Sequence, residues 1–120
     1  AADIEKNRLY VKLKDIGSGE GRLLNNDIKA EIEKLKPGFA VVSDIRQFIV
    51  KDPNEGIWAD KIIQNLVKEG MKIAVRVTGR MGNSKKGRNE LGYVLFIAET
   101  IEEADQILDQ ILLKKGIHLN

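Results

Sequence analysis

Apolar and polar residues follow one another along the chain in patterns that predict strands interspersed with helices. Residues 9–14 alternate between apolar and polar, which is typical of a strand with one wet face near a sheet edge. Residues 3–5 can pair back onto this strand across a turn at residues 6–7. A continuous apolar run at residues 39–42 indicates a strand covered on both faces. Two further strands are predicted at residues 73–77 and 94–97.

Apolar residues recur at three- and four-residue spacing in three segments, which predicts helices with one buried face. The first segment covers residues 24–35, and the second covers residues 58–67. The third follows a capping box that opens at Thr100. Residues 84–91 can hold a fourth, short helix that is weakened by a glycine.

This order of elements predicts an α/β fold. We expect a mostly parallel sheet of four to five strands, joined by right-handed crossovers and covered by about four helices. No internal repeat or linker divides the 120 residues, so the sequence predicts a single domain over residues 1–120.

Composition and charge narrow the range of partners. Twenty basic and eighteen acidic residues are interspersed, so the overall charge gives no indication of a nucleic-acid or membrane binder. The chain has no cysteine, which excludes disulfides and thiolate metal sites and suits a cytoplasmic location. No apolar run reaches the length of about 20 residues that a membrane span needs.

Two aspartates lie where a predicted strand ends and where the next predicted helix begins. Asp44 ends the strand that begins at Phe39 and is followed by Ile45, and Asp52 opens a helix a few residues later. This spacing resembles the STAS (SpoIIAA-like) domain of anti-sigma-factor antagonists and sulfate-transporter tails. The helix that ends at Gly70 fits the same order, and the resemblance covers nearly the whole chain. It implies a domain that acts by binding another protein.

The chain departs from that family at the position of the phosphorylatable serine. Switching members carry a serine where this chain has Pro53 and Asn54, and no hydroxyl side chain lies between Asp44 and Thr78. Phosphorylation needs a hydroxyl to accept its charge, so we expect no phosphoswitch at this site. Asp52, Pro53 and Asn54 are either a partner-facing loop without its switch or a plain helix cap.

Apolar residues around this helix start form a candidate contact surface. Phe48, Ile49 and Val50 lie between a buried strand and the helix, and Trp58 stands one turn into that helix. Together with residues 52–54 they could bind a protein, a lipid-like ligand or a second copy of the chain. The alternative for Trp58 is ordinary core packing with the apolar stripe that follows it.

A basic, glycine-rich segment at residues 76–88 is a candidate anion site. It holds five basic residues and no acid. The residues that would bind the anion are Arg80, Ser84, Lys85, Lys86 and Arg88. Neither a Walker loop nor a dinucleotide-binding glycine motif is present, and the segment has no aromatic residue on which an RNA base could stack.

Catalytic signals are weak. The only histidine, His118, stands near the end of the sequence, and Asp15, Asp44 and Asp52 lack the paired acids of a receiver-type magnesium site. We therefore expect no catalytic residue, metal or cofactor. The sequence favours a non-enzymatic protein-interaction or regulatory module. The alternative is a small-molecule or anion-binding protein, or a weak enzyme, that uses a cleft between residues 52–56 and 80–88.

Overall fold

The computed structural model describes residues 1–79, 87–90 and 92–119, and gives only the backbone of residues 50 and 112–119. The strands are β1 (Ala2–Asp3), β2 (Arg8–Lys12), β3 (Asp15–Ile16), β4 (Ala40–Asp44), β5 (Ile49–Val50), β6 (Ile73–Val77), β7 (Arg88–Asn89) and β8 (Val94–Ala98). The helices are α1 (Glu20–Ile32), α2 (Ile57–Lys68) and α3 (Ile101–Leu119), with a 3₁₀ turn at Pro53–Gly56 before α2.

The main sheet is mixed and has the strand order β1-β2-β4-β6-β8-β7. The four central strands are parallel, whereas the two short edge strands β1 and β7 run antiparallel to their neighbours. The predicted α/β class is therefore confirmed. The sheet has six strands instead of four or five, because the residue pairs 2–3 and 88–89 each add an edge strand.

The helices divide between the two faces of the sheet. Side chains of a strand alternate between its faces, so neighbouring residues of β4 enter different cores. Val41 packs with Ile28 of α1 and Leu66 of α2. Val42 packs with Leu108 of α3 on the opposite face. The sheet is thus covered by α1 and α2 on one side and by α3 on the other.

Three of the four predicted helices are present in the described part of the chain. The predicted capping box is seen at Thr100, whose Oγ1 accepts a hydrogen bond from the backbone N–H of Glu103 at 3.1 Å. The predicted short helix at residues 84–91 lies partly outside the described residues, and Arg88–Asn89 forms a strand instead. Across residues 1–79, 87–90 and 92–119, no helix has both the length and the apolar composition needed to cross a membrane.

A buried ionic network fastens α3 to the sheet. Arg8 of β2 is 1% exposed, and its guanidinium donates to Asp105 at 3.0 Å and to Asp109 at 2.6 Å. The hydroxyl of Tyr10 donates to the same Asp105 oxygen at 2.6 Å. The Arg8 guanidinium also holds the pKa of Asp109 below its usual range. Burying a charge is costly unless it is paired, so these contacts fix the position of α3.

Candidate functional site

An apolar cavity of about 270 Å³ lies between the sheet and the helix pair α1 and α2. Its wall is formed by side chains from both helices, from strands β2, β4 and β6, and from the segment before α2. The apolar lining residues are Val11, Leu13, Ile16, Leu24, Ile28, Val41, Ile45, Phe48, Trp58, Ala59, Ile62, Ile63, Leu66, Met71, Ala74 and Tyr93. A concave site with this lining is typical of a small-molecule binding pocket, and its volume lies just below the usual range of about 300–1,000 Å³.

Small residues create the space. Ser43 in β4 and Ala74 in β6 face the helix pair, and Gly56 and Ala59 stand at the start of α2. Short side chains at these positions leave the gap between sheet and helices unfilled. The cavity extends along the parallel strands and reaches their carboxyl ends at Ser43 and Arg76, which is where open α/β sheets usually bind their ligands.

Trp58 is held against α1 by a close approach of the two helices. A Cβ atom added to Gly21 of α1 would lie 2.5 Å from Cδ1 of Trp58, so only glycine fits at this point. Glu55 of the 3₁₀ turn accepts a hydrogen bond from the Gly21 N–H at 3.0 Å and satisfies one unpaired donor at the start of α1. These contacts place the indole ring on the cavity wall.

Replacing Gly21 with alanine is expected to displace Trp58 and to lower the free energy of unfolding by about 1–3 kcal/mol, as overpacking does. Gly56→Ala is the matched control, because a Cβ at Gly56 meets no atom within 4 Å and its φ is −59°. Urea unfolding and tryptophan emission should change in the first variant only. Equal stability of the two variants would contradict the close contact.

Two polar side chains complete the cavity wall on the sheet side. Ser43 of β4 and Arg76 of β6 are partners in the parallel register and both line the cavity. Sequence analysis placed Arg76 in the strand predicted at residues 73–77 and at the start of the basic segment, but it did not include Arg76 in a binding site. The alternation of β6, which puts Arg76 on the same face as Ala74, is the signal that could have located it.

The predicted contact residues occupy several different environments. Phe48 and Trp58 line the cavity and are half-buried, whereas Ile49 is 59% exposed. The side chain of Val50 lies outside the described residues. The structure therefore brings Phe48 and Trp58 together on the cavity wall and leaves Ile49 on the surface.

The predicted cap is present at the 3₁₀ turn that leads into α2, whereas Gly56, the N-cap residue of α2 itself, makes no side-chain capping hydrogen bond. The Asp52 carboxylate accepts a hydrogen bond from the Asn54 N–H at 3.0 Å, and Pro53 is the first residue of the 3₁₀ turn. Asn54 lies inside that turn. Asp52 therefore serves as the N-cap, whereas a role in partner contact stays a prediction.

The predicted anion site falls largely outside the described residues. The described residues do not include Arg80, Ser84, Lys85 and Lys86. One side of the cleft predicted between residues 52–56 and 80–88 therefore also lies largely outside them. Arg88 is described, and its Nε donates to Glu90 at 2.8 Å. Anion binding by this segment stays a prediction.

The acidic residues weighed as magnesium ligands have other partners. Asp15 pairs with Lys51 at 3.1 Å, and Asp44 accepts hydrogen bonds from Arg46 at 2.9 and 2.8 Å. Within the described ranges, no three acidic or histidine side chains form a group that could hold a metal ion.

Asp44 makes the stability of the folded protein depend on pH in the acidic range. Asp44 is 4% exposed, and the hydrogen bonds from Arg46 hold its pKa at about 2, below the ordinary 3.8. A carboxyl whose pKa is lower in the folded state stabilises the protein above about pH 4, and this stabilisation is lost as pH falls towards 2.

Asp44→Asn is therefore expected to cost about 1 kcal/mol at pH 7 and to flatten the fall in stability between pH 4 and pH 2. This cost is smaller than the free energy that corresponds to the whole pKa shift, because Arg46 is 41% exposed and solvent screens its charge. Asp15→Asn is the control, since its ion pair with Lys51 is exposed on both sides. Parallel urea-derived stability curves for Asp44→Asn and the wild type would contradict this role.

A polar groove of about 400 Å³ lies between α1 and α2. It is lined by Arg22, Asn25, Asn26, Lys29, Trp58, Lys61, Gln64 and Asn65, with three cations and no carboxylate. Asn65 donates to the buried Asn25 across it at 3.1 Å, and Lys61 lies 4.8 Å from the Trp58 ring centre. Sequence reasoning missed this groove because its cations are dispersed over two helices.

Comparison with known proteins identifies no relative that could assign this cavity or this groove. No protein-family model, curated protein or solved structure matches the chain.

Proposed function

We propose that this chain is a non-enzymatic binding domain that holds a small apolar molecule in the cavity between the sheet and helices α1 and α2. The observation that carries the proposal is the cavity of about 270 Å³, whose wall is apolar except for Ser43, Glu55, Arg76 and the hydroxyl of Tyr93. A cavity of 150 Å³ with an apolar lining can bind benzene, so this one is large enough for a bigger ligand.

The polar residues of the cavity support binding more than catalysis. Its hydroxyl groups belong to Ser43 and Tyr93, and Ser43 makes no side-chain hydrogen bond to a described residue. A serine nucleophile needs an adjacent base that is held in place by a third group. The cavity lining contains no histidine that could serve as this base.

Tryptophan fluorescence tests the proposal without a label. Trp58 is the only tryptophan and it lines the cavity, so a bound ligand changes the surroundings of its indole ring. Titration with 1-octanol, a neutral chain of suitable size, should give a saturable change in emission. A change in emission that rises linearly with octanol concentration, and that free tryptophan shows to the same extent, would count against the proposal.

We also propose that the chain is a STAS-like domain without the phosphoswitch. The support is the position of Asp44 at the end of β4, followed by the helix start that Asp52 caps. Phosphorylation at this helix start would need a hydroxyl, and residues 53 and 54 are Pro and Asn.

Protein binding is the second candidate function, and one observation favours it. Ile49 and Ile57 flank the 3₁₀ turn and are 59% and 57% exposed. Exposed apolar side chains can form part of a contact surface. A second copy of the chain is the simplest partner to test.

Analytical ultracentrifugation tests this candidate. Ile49→Ser with Ile57→Ser should shift an oligomer to the monomer, whereas Leu23→Ser, at a 60% exposed position on α1, should leave it intact. A wild-type protein that stays monomeric at high concentration would rule out self-association through this surface.

A further inference from the structure

A single cation lines the otherwise apolar sheet side of the cavity. Arg76 lies near the end of β6 and is half-buried, and its register partner Ser43 lies beside it on β4. Cross-strand partners project from the same face of a sheet, so the guanidinium and the hydroxyl face the cavity together.

Neither side chain has a partner among residues 1–79, 87–90 and 92–119. The guanidinium of Arg76 and the hydroxyl of Ser43 make no hydrogen bond or ion pair to these residues. In the same ranges, no fully buried side-chain nitrogen or oxygen lacks a hydrogen-bond partner. The polar atoms of Arg76 and Ser43 are therefore accessible to a solvent-sized molecule.

The one acid of the cavity wall is already engaged. Glu55 accepts the Gly21 N–H at 3.0 Å at the start of α1, and no salt bridge joins it to Arg76. The cavity wall thus carries one carboxylate and one guanidinium, no ion pair joins them, and Arg76 lies beside the hydroxyl of Ser43. An arginine fork is well suited to bind a carboxylate, and the bond strengthens where water is partly excluded.

We infer that the cavity selects an amphipathic carboxylate, with its aliphatic or aromatic body among the apolar residues and its carboxylate on Arg76 and Ser43. This inference rests on the proposed binding function and deepens it by naming the ligand class. The cavity of about 270 Å³ is larger than the roughly 150 Å³ that holds benzene, which leaves room for a short aliphatic or aromatic carboxylate.

Three ligands with the same eight-carbon chain test the inference. Octanoate, 1-octanol and octylamine are titrated against the wild-type protein at pH 7.5, with Trp58 emission and calorimetry as readouts. Octanoate should bind at least about tenfold more tightly than 1-octanol, as expected for one charge-assisted interaction. Octylamine should bind more weakly than 1-octanol.

Two variants locate the carboxylate. Arg76→Gln should abolish the preference for octanoate over 1-octanol, and Arg76→Lys should retain part of the preference. Lys61→Gln is the matched control, because Lys61 belongs to the basic groove that also contains Trp58.

The possible outcomes separate the inference from the proposed function. Saturable binding of 1-octanol with no preference for octanoate would overturn the inference and keep the proposed function. Loss of the preference in Lys61→Gln instead of Arg76→Gln would also overturn it, because the carboxylate would then lie in the groove. Absence of saturable binding of all three ligands would overturn both.

Discussion

Asp105→Ala lowers the free energy of unfolding by about 3 kcal/mol if Arg8 is the buried anchor of α3, because the substitution leaves a buried charge with one partner fewer. Arg8 is 1% exposed and would keep only Asp109, which is itself 60% exposed. The Tyr10 hydroxyl would lose its hydrogen-bond acceptor as well. Urea unfolding at pH 7 measures the change.

Asp109→Ala provides the matched control on the same helix face. Asp109 is 60% exposed and Tyr10 does not depend on it, so its loss should cost less than the loss of Asp105, about 1 kcal/mol. A double variant in which Arg8→Met accompanies Asp105→Ala should recover part of the stability, because no buried charge then remains unpaired. Equal costs for Asp105→Ala and Asp109→Ala would contradict this description of the network.

Ala74→Leu should fill the cavity and lower the affinity for 1-octanol by at least about tenfold, since the side chain occupies the space that the ligand needs. Ala74 lies on β6 and faces the helix pair. Enlarging a residue in a well-packed core costs about 1–3 kcal/mol, whereas filling an empty cavity should leave the stability equal or higher.

Lys61→Gln serves again as the control for binding, because Lys61 lines the basic groove and not the cavity. It should leave the affinity for 1-octanol unchanged. A strongly destabilised Ala74→Leu protein would mean that the space between sheet and helices is filled in solution.

Local periodicity was sufficient to predict the elements that position the site. The apolar stripes of α1 and α2 and the continuous run in β4 depend on residues near one another in sequence, so pattern reasoning located them. The Asp52 cap was predicted for the same reason, because its hydrogen bond to Asn54 spans two residues.

The cavity and the ionic network depend on packing between distant segments. Arg8 and Asp105 are 97 positions apart, so no local pattern links them. The cavity exists because Ser43 and Ala74, two small residues on different strands, face the same helix pair. The sequence left two alternatives for Trp58, a core residue or a contact residue. In the structure Trp58 packs against α1 and also faces the cavity.

The predicted number of strands in the sheet was too low because the short edge strands are also defined by pairing between distant segments. Two-residue strands such as Arg88–Asn89 carry no measurable alternation, and their pairing with β8 supplies the hydrogen bonds that define them. The sequence analysis predicted that residues 3–5 pair back onto β2; the pairing is present, but it is made by Ala2–Asp3, and residues 4–7 form the turn.

The central claim is that the space beneath α1 and α2 binds an apolar chain, and methyl NMR with 1-octanol tests it most directly. We expect nuclear Overhauser contacts from the octanol chain to methyl groups of Leu24, Ile62 and Val41, and none to Val42 or Leu108 on the α3 side of the sheet. Contacts confined to the exposed Ile49 and Ile57, or distributed equally over both faces of the sheet, would contradict the claim.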